Sequence, residues 1–171
     1  MADAIAYLEG SAGISLPKSF ESDLRKRLSE VLTSRLHAVD GALELVRSLK
    51  VPFCVASNAP HAKIELCLEL TGLLPYFKGR IFSSYEVGVF KPDPGLFVHA
   101  ARSLGASPER CAVVEDSTPG IQAGLAAGMT VFALEHGLSG EAPAPQVHVI
   151  SGLRELIPRF AHEARPSTDA L

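Results

Sequence analysis

Three short stretches of the sequence hold residues whose types and spacing could do chemistry on an anion: Ser57-Asn58, Lys91 within Phe90-Lys91-Pro92-Asp93-Pro94, and Glu115-Asp116. A hydroxyl at a helix start lies beside unsatisfied backbone N–H groups, which together make a seat for a phosphate. The competing reading is that Ser57 or Asn58 merely caps that helix. Lys91 stands between a strand exit and a proline-fixed helix start, where a point charge could neutralise a phosphoryl group. An ordinary loop lysine is the plainer alternative. Glu115 and Asp116 directly follow Cys111-Ala112-Val113-Val114, which sets two carboxylates at the tip of an apolar run. Repulsion and desolvation oppose that placement unless a cation or a lysine compensates. A Mg²⁺ ion, which favours hard oxygen ligands and bridges carboxylate to phosphate, would do so. Helix capping by Asp116 or Ser117 is the alternative. A hydroxyl, a lysine and a carboxylate pair at three successive positions of this kind suit phosphoryl transfer.

The elements that must position these residues are legible from periodicity. Phe20, Leu24, Leu28, Val31, Leu32 and Leu36 recur at helical spacing, with Arg25, Lys26, Arg27 and Glu30 forming a solvated face. Ala4–Gly10 is expected to form a short helix and 13–17 a loop, so the first 38 or so residues read as purely helical. From Ala42 onward helices alternate with short apolar runs at 52–57, 80–83, 111–115, 130–134 and 147–150, each too short for anything but a buried strand. Pro60, Asp93-Pro94 and Thr118-Pro119 mark the starts of helices, with Asp93 expected as an N-cap. Gly120 and Gly124 fall on one face of the third of these helices, as close packing on a sheet requires, and Gly128 is placed to stop it. A Gly/Pro-rich loop with Pro143 and Pro145 precedes the last strand, and the final eight or so residues are expected to fray. Such alternation predicts right-handed crossovers and an α/β fold: a doubly wound, mostly parallel sheet covered on both faces. In that architecture ligands bind at the C-terminal ends of the strands, where Ser57, Asn58, Glu115 and Asp116 fall.

At this point a resemblance becomes specific. Val55-Ala56-Ser57-Asn58, Lys91-Pro92-Asp93-Pro94 and Val113-Val114-Glu115-Asp116-Ser117, followed by Gly120-Ile121 and Ala126-Ala127-Gly128-Met129, resemble in order and spacing the second, third and fourth motifs of the haloacid dehalogenase superfamily. The chain is most similar to its β-phosphoglucomutase-like branch, which includes sugar-phosphate phosphatases such as 6-phosphogluconate phosphatase, over about residues 1–160. The resemblance implies a Rossmannoid core at 39–160, part of a helical cap at 1–38, and a tail at 161–171. It implies that Ser57 and Asn58 bind the transferring phosphoryl group, that Lys91 steadies it, and that Asp116 with Glu115 holds Mg²⁺. The implied function is a Mg²⁺-dependent phosphatase of a small phosphorylated metabolite acting through an aspartyl-phosphate. A phosphotransferase of the β-phosphoglucomutase kind, or a non-catalytic protein that binds a phosphate ligand or a partner, are the alternatives.

The pattern breaks at one place. Members of the superfamily open with a strand ending in Asp-x-Asp, whose first carboxylate attacks phosphorus and whose second serves as general acid/base. Asp3, Asp23, Asp40, Asp93 and Asp169 each lack the preceding apolar run. The central strand of the sheet, between those ending at Ser57 and Glu115, is therefore expected to be missing. The chain as written would be unstable or would pair with itself through the gap, and Met1 is expected to be an internal methionine of a longer product.

Composition narrows the remaining classes. Sixteen Lys and Arg against nineteen Asp and Glu, a formal charge of −3, argue against nucleic acid as partner. No apolar run approaches the ~18 residues of a membrane helix and no secretory leader is legible, so the protein is expected to be cytoplasmic. Cys54, Cys67 and Cys111 are too dispersed for a disulfide frame or metal knuckle and read as packing residues, and the six histidines lack ligand spacing.

Overall fold

The structure, a computed structural model, describes residues 2–135 and 144–161. Pro143, His136, His162 and the expected tail from 162 lie outside the described residues. The chain divides into two compact units, Met1–His37 and Ala38–Leu171.

The first unit holds α1 (Ala2–Ala12), which extends past both expected ends, and α2 (Phe20–Arg35). The charged face of α2 carries an i,i+4 pair, with Arg25 Nη2 2.6 Å from Glu21 Oε1. Its apolar stripe buries no residue completely, and Leu28 and Val31 are exposed.

In the second unit helices and parallel strands alternate: α3 (Ala42–Ser48), β1 (Val55–Ser57), α4 (His61–Leu70), α5 (Leu74–Phe77), β2 (Ile81–Ser83), α6 (Ser84–Val87), α7 (Gly95–Ser103), β3 (Ala112–Glu115), α8 (Thr118–Ala126), β4 (Thr130–Leu134), β5 (Val147–Ile150) and α9 (Ile157–Phe160). The short helices α5 and α6 were not legible in the sequence; each has only four residues and no room for periodicity. β1 begins three residues after the apolar run does.

All pairings are parallel. β1 pairs with β2 (Ser57 opposite Ser83), β3 with β4 (Glu115 opposite Ala133) and β4 with β5 (Ala133 opposite Val149). Among the described residues these ladders form two sheets, β1-β2 and β3-β4-β5, and the interruption falls between β1 and β3. Both faces of the larger sheet are covered, as its continuous apolar runs require. Val131 and Ala133 of β4 pack with Val147, Ile121 and Leu125, and Phe132 and Leu134 pack on the other side with Leu45, Ile150 and Leu156. Val114, which stands opposite Phe132 in register, is 41% exposed. Around β1 and β2 a separate cluster gathers Ile64, Leu68, Phe77 and Ile81.

One helix start differs from expectation. α8 begins at Thr118 as expected and is capped by Ser117, whose Oγ accepts from the Gly120 N–H at 3.2 Å. Asp93 caps no helix; its Oδ1 accepts from the Gly95 N–H at 2.7 Å in a local turn just ahead of α7, beside a cis Lys91–Pro92 peptide. The cysteines are half-buried and free, and burial, with Cys111 nearby, pushes the Cys54 thiol up to about 11.

Candidate active site

The ends of β1 and β3 and the segment after α6 meet around a pocket of about 390 Å³ lined by Ala56, Ser57, Asn58, Lys91, Glu115 and Asp116, with Val114, Ser117 and Pro119. All five residues singled out from the sequence therefore face one space, at the carboxyl ends of the strands, and they do so in different ways.

Ser57 ends β1, and its Oγ accepts from the Ala59 N–H at 3.1 Å, so the chain turns tightly into α4. The Asn58 side chain makes three hydrogen bonds. Its Oδ1 accepts from the Lys91 N–H at 2.9 Å and from the Ser84 hydroxyl at 2.7 Å, and its Nδ2 donates to the Lys91 carbonyl at 3.2 Å.

Lys91 and Glu115 form a buried ion pair, Nζ donating to Oε1, with side chains only 10% and 8% exposed. The ammonium also stands 4.6 Å from the centre of the Phe97 ring, where the negative face of the ring adds attraction. The other Glu115 oxygen accepts from the Ser117 hydroxyl at 2.9 Å. A Cβ at Gly120 would fall 2.1 Å from the Glu115 carboxyl carbon, so only glycine lets α8 approach this carboxylate. The compensation required by carboxylates at a buried strand tip comes, for Glu115, from Lys91. Asp116 is exposed in the pocket.

No cluster of three or more metal-ligating side chains occurs among the described residues. The donor set nevertheless fits Mg²⁺, which is commonly held by one or two carboxylates together with waters and substrate phosphate oxygens. Asp116 offers such a carboxylate, whereas both oxygens of Glu115 already have partners.

Sequence reasoning missed Ser83 and Ser84, both fully buried at the end of β2. The Ser83 hydroxyl donates to the Ala59 carbonyl at 2.7 Å. The only signal was two hydroxyls at a strand end, which is also what any turn shows.

A family model described as haloacid dehalogenase-like hydrolase matches residues 9–128. The 6-phosphogluconate phosphatase of Escherichia coli (strain K12) is 37% identical over 121 residues, 70% of this chain and 55% of that enzyme. The chain thus matches little more than half the length of that relative. A crystal structure of a conserved haloacid dehalogenase-like protein from Agrobacterium tumefaciens superposes with a TM-score of 0.75 at 32% identity, over 94% of this chain and 76% of that one. A protein of Thermotoga maritima named for β-phosphoglucomutase shares the fold, with a TM-score of 0.72 at 20% identity over 92% and 76% of the two chains. With strand-end motifs, parallel α/β architecture and a family match over most of its length, this chain belongs to the haloacid dehalogenase-like hydrolases.

Proposed function

We propose that the protein is a phosphatase of a small phosphorylated metabolite, of the sugar-phosphate type, and that its nucleophile comes from a strand outside these 171 residues. The observation that carries the reading is the convergence of Ser57, Lys91, Glu115 and Asp116 on one pocket. The identity to a 6-phosphogluconate phosphatase supports the substrate class.

In this reading the Ser57 hydroxyl and the N–H groups of the following turn orient the phosphoryl oxygens, and the Lys91 ammonium balances their charge. Glu115 holds the Lys91 ammonium in place and takes no part in metal binding. Asp116 would hold a Mg²⁺ ion, which when bound supplies further charge neutralisation at the phosphoryl group. The interruption between β1 and β3 is where a strand bearing Asp-x-Asp would bring its first carboxylate against phosphorus and its second against the leaving oxygen. That carboxylate displaces the alcohol, which takes up the proton of the second Asp, and water then releases phosphate from the aspartyl-phosphate. The 171-residue chain alone would accordingly turn over no substrate.

The test is phosphate release from a broad panel of phosphomonoesters by the product isolated from its source cells, with Mg²⁺ and with chelator. Its intact mass is compared with the 18.1 kDa of this sequence. We expect a heavier product that hydrolyses sugar phosphates and is silenced by chelation. Inertness toward every ester overturns the reading, and isomerisation of a sugar phosphate without free phosphate favours phosphotransfer instead.

A further inference from the structure

We propose that Ser84 and Asn58 are positioning residues that set the Lys91 ammonium in the pocket. Ser84 acts through the Asn58 carboxamide and Asn58 through the Lys91 main chain. This deepens the phosphatase reading and rests on it.

The geometry is a relay across three segments. Ser57 stands opposite Ser83 in the parallel β1-β2 pair, which places the next residues, Asn58 and Ser84, side by side just beyond the ladder. Ser84 is completely buried, so its hydroxyl has no water to turn to, and it donates to Asn58 Oδ1 at 2.7 Å. That bond leaves Oδ1 with a second lone pair for the Lys91 N–H, while Nδ2 donates to the Lys91 carbonyl. The orientation of the carboxamide follows from its partners, since the Lys91 N–H can only donate and its carbonyl can only accept. Asn58 thus grips both polar groups of the Lys91 main chain, as a neighbouring strand would.

Lys91 is consequently held at both ends: its main chain by Asn58, and its ammonium by Glu115 and the face of the Phe97 ring. Of these, only the Asn58 contact decides where the side chain starts. A lysine on a free loop would sample many rotamers, and its charge would be spread over the mouth of the pocket. Ser83, equally buried on the same strand end, bonds instead to the Ala59 carbonyl and accepts from the Tyr85 N–H, partners that are not members of the relay. It is the natural control for mere loosening of the strand end.

The experiment is a double-mutant cycle on the longer product of the proposed function, with inorganic phosphate titrated in the presence of Mg²⁺ by calorimetry. Ser84→Ala is expected to weaken phosphate binding roughly three- to tenfold, the loss of one buried hydrogen bond. In a background of Lys91→Gln with Glu115→Gln, which removes the charge pair together, the same change should shift affinity by less than about twofold. Any effect of Ser83→Ala, in contrast, should persist in that background. Hydrogen exchange of the Lys91 amide should quicken in Ser84→Ala and in Asn58→Ala and stay unchanged in Ser83→Ala. Because Asn58 is exposed, Asn58→Ala carries the same cycle should Ser84→Ala not fold. An unchanged Lys91 amide, or an effect of Ser84→Ala and Asn58→Ala that survives loss of the charge pair, overturns the relay while leaving the phosphate site standing. Absence of phosphate binding by the unaltered chain overturns the phosphate-site reading and the relay's role with it.

Discussion

Lys91 and Glu115 are worth more together than apart, because each side chain is buried and removing one leaves the other without its partner. Lys91→Ala strands a carboxylate and should destabilise the second unit by about 3–5 kcal/mol in urea unfolding, and adding Glu115→Gln should recover much of that loss. Gly120→Ala drives a methyl group into the same carboxylate and should cost about 1–3 kcal/mol in the same assay. Strand-end placement made Ser57, Glu115 and Asp116 legible from the sequence, since short apolar runs bounded by Gly and Pro announce where a parallel strand stops, whereas Lys91 lies past α6 and was marked by the proline-fixed helix start that follows it. What those residues do to one another was less legible. The sequence reading offered either a lysine or a metal ion as the partner of the carboxylate pair, and only the geometry divides them, giving Glu115 to Lys91 and leaving Asp116 exposed. The two hydroxyls of Ser83 and Ser84 were invisible for the opposite reason: in a four-letter run Ile-Phe-Ser-Ser their burial cannot be read from composition.

At the scale of elements, the junction into α3 is tied to the far end of the chain. Arg154 Nη2 lies 2.9 Å from Asp40 Oδ1 and its Nη1 2.8 Å from Glu44 Oε1. Gly41 between them has a φ of 79°, and a Cβ there would stand 2.7 Å from Arg154 Cγ. Gly41→Ala should therefore cost about 1–2 kcal/mol from backbone handedness alone, read in thermal melts. The hydrogen bond and charge of Arg154 hold the Asp40 carboxyl below the usual range, and the Glu44 main chain, with Arg154, does the same for Glu44. A depressed folded-state value means the contribution is present above the unfolded carboxylate range, near about pH 4, and is lost as pH falls through the lower folded-state value. The difference in melting temperature between the parent and Arg154→Ala should thus be flat near neutrality and shrink in acid, and it should shrink with added salt because these groups are exposed. No local signal could reveal this tie, since 114 residues separate its partners. Helix starts, which are local, were read to within a residue or two: α8 begins at the expected Thr118, and α7 begins at Gly95, just after Asp93-Pro94.

For the molecule as a whole, the break between β1 and β3 gives the second unit two hydrogen-bonded sheets of unequal strength. β4 is paired on both sides and buries Val131 and Ala133 completely, whereas β1 has three residues and one partner. Amides of β4 should exchange slowest and those of β1 markedly faster, as read by hydrogen exchange at neutral pH. The alternation of helix and strand was legible because each element carries its own period. The division into two ladders was not legible in the same way, since no strand's own sequence announces an unpaired edge.

The ion pair also joins those two sheets, for Lys91 is gripped at the end of β1 while Glu115 belongs to β3. Its maintenance is therefore a matter of tensile integrity as well as of chemistry. Mutational tolerance at Lys91 or Glu115 would report on folding even in a protein that had lost all turnover. Asp116, exposed in the pocket, is the informant of the opposite kind: Asp116→Asn should leave the melting temperature where it was, so any loss of phosphate release in that variant speaks of catalysis alone.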